Sequence, residues 1–288
     1  MKDKTSLSAE ARRIIRINSL LPAKKHPFNS QNSGGKSYAR WQFEKGKDTI
    51  VLFLEKYTAK EMFSGKRVLD MGCGAGGKSM YYATLGASCV VGADIVPDYK
   101  EQSAALAESL GLSDKFTFVL SSADSIPYPD KSFDTVIMND FMEHVSEPEK
   151  ALREALRLLD DGGRIYVNFS PYYHPYGAHL WDAISIPWVH VFFSEKAMIE
   201  AYKYLISSLP DREYRENLRI TRRDDGSEYL GYINKMTIAR YYAMLDSMGI
   251  VPVYKKEVPL RPVFTPLARM KSLKEKFVRM VVTVIEKK

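Results

Sequence analysis

A short apolar strand that runs directly into a glycine-rich turn is the feature that most constrains the fold of this chain. Residues 66–77 read KRVLDMGCGAGG, in which the strand ends at Asp70. Gly72, Gly74 and Gly76 follow, and none of them carries a Cβ that would keep a ligand away from the backbone. The pattern predicts the first strand–turn–helix unit of an open α/β sheet, with a ligand bound at the turn.

The glycines alone leave two kinds of ligand open. Gly72, Gly74 and Gly77 satisfy the G-x-G-x-x-G dinucleotide fingerprint. Asp94 lies 22 residues after the first of them, where that fingerprint has its ribose-binding acid. Asp70 favours the other interpretation, because a carboxylate at the mouth of the turn repels a pyrophosphate and attracts a ligand with an ammonium and a sulfonium.

Two motifs of the chain resemble a known family. The run D-x-G-x-G-x-G from Asp70 to Gly76 is similar to motif I of the class I S-adenosylmethionine-dependent methyltransferases. The run FDTVIMND, with FMEHV after it, resembles the fourth-strand signature of the UbiE-like, small-molecule branch of that family. The resemblance is strong over residues 60–170. It implies S-adenosylmethionine as cofactor and methyl transfer by in-line displacement to oxygen, nitrogen or carbon of a small molecule, with oxygen slightly favoured.

The resemblance also implies which residues hold the cofactor. An acid at the end of the second strand accepts hydrogen bonds from the ribose hydroxyls, and an acid after the third strand reaches the adenine amino group. The implied set lies at the carboxyl ends of the first four strands and comprises Asp70, Gly72, Gly74, Gly76, Asp94, Ile95, Ala123, Asp124 and Asn139.

Strands and helices alternate from the glycine turn to about residue 170, and the strands are almost continuously apolar. This pattern predicts an α/β fold with a doubly wound, mostly parallel seven-stranded sheet of the Rossmann-like type. The resemblance implies an antiparallel last strand. We expect an N-terminal helical extension over 1–60, a cofactor-binding core over 61–170, an acceptor-site insertion over 171–235 and closing elements over 236–288.

The insertion after strand five is rich in aromatic side chains. Residues 172–193 contain seven aromatics and three of the chain's five histidines. We expect this segment to contact the acceptor, although aromatics that only pack in a lid or a dimer contact are an open alternative. A histidine is a suitable general base because imidazole titrates near neutral pH. The acceptor-contacting residues are predicted to be Tyr172, Tyr173 and Trp181, and the base candidates are His144, His174 and His179.

The distribution of charge bears on the partners. The chain has a formal net charge of +7, yet residues 67–170 contain 9 Lys and Arg against 16 Asp and Glu. An acidic centre suits a cationic cofactor, while basic flanks favour an anionic or amphipathic acceptor. Nucleic acid methylation is the alternative, but the fourth strand ends in NDFM and not in the N/D-P-P-[YFW] sequence of base-amine methylases. A protein that binds the cofactor without catalysis is a further alternative.

Composition excludes several other classes. Two cysteines in 288 residues favour a reduced, cytoplasmic protein over a disulfide framework. The first residues show no apolar signal region, and no run of about 18 apolar residues predicts a membrane span. The histidines lack metal-ligand spacing, so we expect no metal site.

Overall fold

The computed structural model describes residues 7–23, 29 and 37–288. The chain divides into two compact units. The sheet unit comprises Lys36–Phe169, Ala239–Val258 and Met280–Lys288. The insertion unit comprises the described residues of 1–35 together with Ser170–Ile238 and Pro259–Arg279.

The described strands, in chain order, are β1 Arg67–Met71, β2 Cys89–Asp94, β3 Phe116–Leu120, β4 Phe133–Asn139, β5 Leu159–Phe169, β6 Ile220–Arg222, β7 Glu228–Leu230, β8 Tyr254–Pro259 and β9 Val278–Glu286. The described α-helices are α1 Ala9–Asn18, α2 Tyr38–Glu44, α3 Gly46–Ile50, α4 Ala59–Phe63, α5 Gly77–Thr84, α6 Tyr99–Leu110, α7 Pro148–Leu158, α8 Val189–Phe192, α9 Glu195–Ile206, α10 Arg212–Arg219, α11 Ile238–Ser247, α12 Thr265–Arg269 and α13 Lys274–Phe277.

The sheet unit contains a seven-stranded sheet in the order β3-β2-β1-β4-β5-β9-β8. Strands β1 to β5 pair in parallel, and β9 pairs with β5 in the antiparallel direction. The predicted doubly wound sheet with an antiparallel last strand is therefore confirmed. The strand order reverses between β1 and β4, so the carboxyl ends of these two strands flank the crevice in which such sheets bind ligands.

The sheet unit begins earlier than the expected core, which was placed at 61–170. Ala39 of α2 and the side chains of Phe53 and Tyr57 are buried in the same apolar cluster as the helix α5 and the strand β1. The backbone of α2 lies so close to α5 that a Cβ on Gly77 would be 2.0 Å from the Ala39 carbonyl oxygen. Residues 36–60 are therefore part of this unit, because their apolar faces complete its core.

The insertion unit has its own core. Ile14 of α1 and Tyr202 of α9 are fully buried in an apolar cluster with Leu180. Beneath it lies a fully buried ion pair, in which Arg215 of α10 donates to the Asp182 carboxylate at 3.0 Å. Residues 259–279 belong to this unit and not to the closing elements of the sheet, where they were expected.

Candidate active site

The glycine turn after β1 has the backbone that only glycine adopts readily. Gly72, Gly74 and Gly76 have φ values of +72°, +58° and +74°. The structure corrects the expected reason for these glycines, which was to leave room for a ligand. A Cβ on Gly74 would lie 2.7 Å from Gln42 Nε2, and one on Gly72 would lie 2.5 Å from Phe141 Cδ2. These glycines are thus required by backbone conformation and by protein packing.

Gln42 of α2 was not expected at this site. Its side chain is buried and spans the glycine turn, since Nε2 donates to the Cys73 carbonyl and Oε1 accepts from the Gly77 N–H, both at 3.4 Å. Gln42 shares the buried face of α2 with Ala39, three residues earlier. A polar residue on the apolar face of a helix was the sequence signal that could have identified it.

Asp94, at the end of β2, is held in place by the backbone. Its Oδ2 accepts from the Gly74 N–H at 2.8 Å, and its Oδ1 accepts from the Val96 N–H at 3.0 Å. Burial raises the pKa of Asp94, and the backbone hydrogen bonds offset part of that effect. Ile95, which follows it, is 69% exposed and presents apolar surface beside the carboxylate. The carboxylate is therefore oriented without a ligand.

Asp70, at the end of β1, is a second carboxylate of the site and is buried. It accepts a hydrogen bond from the Ser79 hydroxyl at 2.6 Å. Burial raises the pKa of Asp70 to about 6, the nearby Asp94 adds to this rise, and Ser79 and Lys78 oppose it. Two carboxylates whose negative form is disfavoured create a site that a cation stabilises. This part of the chain fits a ligand with an ammonium and a sulfonium.

The residues predicted after β3 lie at the surface. Asp124 is exposed and accepts a hydrogen bond from the Ser122 hydroxyl at 2.5 Å, which lowers the pKa of Asp124. Ala123 between them is half-buried. Asp124 therefore differs from Asp70 and Asp94 in being fully solvated.

Asn139, at the end of β4, belongs to a buried polar network. Its Oδ1 accepts from Asn168 Nδ2 at 2.5 Å, and its Nδ2 donates to the Tyr82 hydroxyl at 2.7 Å. The Tyr82 hydroxyl lies 3.0 Å from Thr49 Oγ1. The side chain predicted to touch the cofactor is thus bonded to the protein on both sides, where it fixes β5 and α5 relative to β4.

A cavity of about 300 Å³ lies at the carboxyl ends of β4 and β5. Asp140, directly after β4, has a φ of +48°, an unusual conformation for a residue other than glycine. Its N–H donates to the Asn168 carbonyl at 3.0 Å, and its carboxylate lies 3.3 Å from Lys78 Nζ. Polar and aromatic lining comes from Trp41, Lys45, Asp48, Thr49, Lys78, Asp140 and Asn168. His144, a predicted base of this unit, is not among the residues that line the cavity.

The other predicted acceptor residues lie in the insertion unit. His174 Nδ1 accepts from the Tyr176 N–H at 3.1 Å. Burial raises the pKa of Tyr172 to about 12, and its ring lies 4.7 Å from that of His190. Burial lowers the pKa of His190 to about 4, so this histidine is neutral at pH 7. Tyr173 is exposed, whereas His179 and Trp181 are half-buried.

Comparison with known proteins decides the family. Residues 69–167, which run from β1 to β5, match the model of a methyltransferase domain. The chain is 30% identical over 177 residues to the ubiquinone/menaquinone biosynthesis C-methyltransferase UbiE of Cronobacter sakazakii, covering 59% of this chain and 69% of that protein. The chain belongs to the class I S-adenosylmethionine-dependent methyltransferases. Its cofactor is therefore S-adenosylmethionine and not a dinucleotide, and this methyltransferase acts on a small-molecule acceptor.

Two further similarities were found, one in sequence and one in fold. The methyltransferase is 32% identical over 111 residues to methyltransferase GfsG of Streptomyces halstedii, covering 38% of this chain and 40% of that one. Its fold is similar to that of a putative sarcosine dimethylglycine methyltransferase from Galdieria sulphuraria, with a TM-score of 0.54, 14% identity and coverage of 90% and 97% of the two chains. Across the described parts of this methyltransferase, no helix combines the length and the apolar character needed to cross a bilayer.

Proposed function

We propose that the glycine turn with Asp70 and Asp94 holds S-adenosylmethionine. When bound, this cofactor supplies a methyl group activated by attachment to a sulfonium. Asp70 and Asp94 attract its positive charge, and the fixed orientation of Asp94 suits it to accept hydrogen bonds from ribose hydroxyls. The support for this assignment is that the buried Asp70 and the half-buried Asp94 lie at the carboxyl ends of neighbouring strands.

The methyl acceptor binds, in this proposal, in the cavity at the ends of β4 and β5. The cavity combines the apolar surfaces of Trp41, Leu52 and Met280 with two ion pairs, Lys45 with Asp48 and Lys78 with Asp140. Such a lining suits a small amphipathic molecule whose polar group forms hydrogen bonds with these charged side chains. This cavity is the observation that carries the proposal, because it lies at the carboxyl ends of β4 and β5, beside the switch point between β1 and β4.

In this proposal Asp140, and not one of the three histidines predicted from the sequence, accepts or orients the proton of the acceptor. Its carboxylate lines the cavity, and Lys78 holds it at 3.3 Å. An acceptor oxygen or carbon must lose a proton during methylation, and a carboxylate within reach can accept or orient that proton. The C-methyltransferase named among the relatives supports a carbon acceptor, and the preference for oxygen expected from the sequence stays a prediction.

A screen with isotopically labelled S-adenosylmethionine and fractionated metabolites tests the proposed acceptor class. We expect label to be transferred to a small anionic or amphipathic compound, whose methylated atom is then identified by nuclear magnetic resonance. Transfer of label only to fully polar compounds would contradict the assignment of the cavity.

The role of Asp140 is tested with the acceptor so identified. We expect Asp140→Asn to lower kcat by about 10²–10⁴ while cofactor affinity changes little. Asp161→Asn is the matched control, because Asp161 is an exposed acid paired with a lysine outside the cavity. An unchanged kcat in Asp140→Asn, with the control also unchanged, would exclude Asp140 as the proton-handling group.

We also place the protein in the cytoplasm. Its two cysteines are free thiols, Cys73 in a buried position and Cys89 half-buried. Unpaired cysteines are typical of a reducing compartment. Cell fractionation with a tagged chain checks this assignment, and recovery from an oxidising compartment would contradict it.

A further inference from the structure

Residues 259–279 form a basic surface segment of the insertion unit, called here the basic segment. It contains six basic residues and one acid, Glu275. That acid accepts a hydrogen bond from the Ile238 N–H at 3.0 Å, so it is turned toward the start of α11. The exposed basic side chains are Arg261, Arg269, Lys271, Lys276 and Arg279. The basic segment therefore presents a concentrated positive charge to its surroundings.

Apolar side chains project from the same segment. Val263 is 74% exposed and Met270 is 49% exposed, and each lies within two residues of an exposed basic side chain. Exposed apolar and basic side chains in one short segment are typical of surfaces that lie in the headgroup region of a membrane.

The fold holds the basic segment in place. Ala268 and Val278 are buried, and the rings of Phe264 and Phe277 lie 5.4 Å apart. The Phe277 ring also lies 6.2 Å from that of Trp188. The exposed valine and methionine are thus carried on an anchored segment and do not depend on a ligand for their position.

We propose that the basic segment docks the protein on an anionic membrane surface. The basic side chains are attracted to acidic phospholipid headgroups, while Val263 and Met270 enter the boundary between headgroups and acyl chains. Charge complementarity identifies the occupant, because a neutral apolar partner would gain nothing from the five exposed basic residues.

Nucleic acid fits this surface less well. Proteins that bind single strands offer exposed aromatic rings on which bases stack. Here Phe264 and Phe277 are half-buried and packed on each other, and the exposed apolar side chains are Val263 and Met270. Aliphatic side chains suit acyl chains and give no stacking platform.

Co-sedimentation of the full chain with vesicles tests the proposal. We expect binding to vesicles of phosphatidylcholine mixed with phosphatidylglycerol, and little binding to phosphatidylcholine alone. Added salt should weaken the binding, because screening shortens the range of the attraction. Equal binding to both vesicle types, no binding to either, or stronger binding to bulk RNA would each overturn it.

Matched variants locate the surface. Reversal of charge in Arg269→Glu/Lys271→Glu/Lys276→Glu should weaken vesicle binding by about tenfold or more. The control Lys56→Glu/Lys60→Glu/Lys115→Glu changes three exposed lysines of the sheet unit. An equal loss in both variants would mean that only net charge matters, and would overturn the proposal.

A second pair of variants measures the contribution of the apolar side chains to vesicle binding separately from that of charge. Val263→Ser/Met270→Ser should weaken binding severalfold at unchanged charge. The control Val251→Ser/Val253→Ser alters side chains of the sheet unit that are 86% and 51% exposed. An unchanged melting temperature and an unchanged cofactor affinity establish that each variant is folded. Because vesicle binding is measured without methyl transfer, its result does not affect the proposed methyl-transfer site.

Discussion

The carboxylate of Asp94 accepts a hydrogen bond from the Gly74 N–H at 2.8 Å, which ties the end of β2 to the glycine turn that follows β1. One side chain therefore both stabilises the turn and stands where the ribose of the cofactor is proposed to bind. Substitutions at these two positions should consequently affect both cofactor affinity and local structure. The conservative variants described below distinguish these effects.

Asp94→Ala should weaken S-adenosylmethionine binding by about ten- to a hundredfold, because hydrogen bonds to a charged acceptor are worth about 1.5–3 kcal/mol. Asp94→Asn keeps the shape and loses the charge, so its affinity should be intermediate. Titration calorimetry measures both. Asp98→Ala is the control, since this acid lies at the start of α6 and makes no side-chain capping bond there. Wild-type affinity in Asp94→Ala would contradict the ribose assignment.

Gly74→Ala should lower the free energy of unfolding for two reasons. The left-handed φ of +58° costs an L-residue about 1–2 kcal/mol, and the new Cβ would lie 2.7 Å from Gln42 Nε2. Gly111→Ala is the matched control, because its φ is +65° and nothing lies within 4 Å of its Cβ position. Chemical denaturation should show a larger loss for Gly74→Ala than for the control.

A double variant measures how much of the stability lost in Gly74→Ala comes from the contact with Gln42. Gln42→Ala removes the side chain that a Cβ on Gly74 would meet, so adding it to Gly74→Ala should recover the steric part of the loss. The backbone part should persist. If Gly74→Ala and Gly111→Ala lose equal stability, the close contact with Gln42 has no energetic role.

Cofactor affinity should depend on pH through Asp70. Its pKa of about 6 lies above the ordinary value of 3.8, because burial disfavours the ionised form. A cationic ligand binds the ionised form of Asp70 better, so the affinity should be constant above about pH 6. Below that pH the affinity should decrease, by at most about tenfold for each pH unit. In the absence of ligand, the raised pKa makes the fold most stable below about pH 4, and this contribution is lost as the pH rises through 6.

Asp70→Asn checks that this dependence comes from Asp70. The variant cannot ionise at this position, so its affinity should be lower at neutral pH and nearly independent of pH between about 5 and 7. Calorimetry across this range gives the profile. A wild-type profile that is flat over the same range would mean that Asp70 does not interact with the cation.

The aromatic insertion gives a prediction that separates function from packing. If its side chains contact the acceptor, then His174→Ala, His179→Ala and Trp181→Ala should lower turnover with little change in cofactor affinity. A fall of about 10²–10⁴ in kcat in a histidine variant would identify that histidine as the base in place of Asp140, whereas loss of an acceptor contact alone would mainly raise KM. Turnover, cofactor affinity and melting temperature are measured on each variant.

A structural variant of the same unit provides the comparison. Arg215→Met removes the closer of the two cations that pair with the buried Asp182 and leaves only Arg219, at 3.7 Å, so it should cost about 3–5 kcal/mol in unfolding free energy. Arg212→Met, on the same helix but exposed, should cost little. If the histidine and tryptophan variants behave like Arg215→Met, melting early and losing all functions together, the insertion serves packing and not the acceptor.

The sequence by itself determined the fold class and the cofactor. Both depend on local patterns: an apolar strand before Asp70, glycines at every second position after it, and an acid at the end of the next strand. Such patterns can be recognised in a sequence because the backbone of a tight turn and the burial of a parallel strand each restrict which residue types occur at a few neighbouring positions.

Only the tertiary structure decided which side chains meet. Gln42 reaches the amide of Gly77 across 35 residues, and Lys78 reaches Asp140 across 62. No local pattern marks either pair. The first contact depends on how α2 packs on α5, and the second depends on how β1 and β4 become neighbours in the sheet. The histidines were predicted as bases from their residue type alone. Asp140 is proposed instead because its position directly after β4 places its carboxylate at the cavity. The sequence gives the chemical type of each residue, but the distances between side chains depend on how the chain packs.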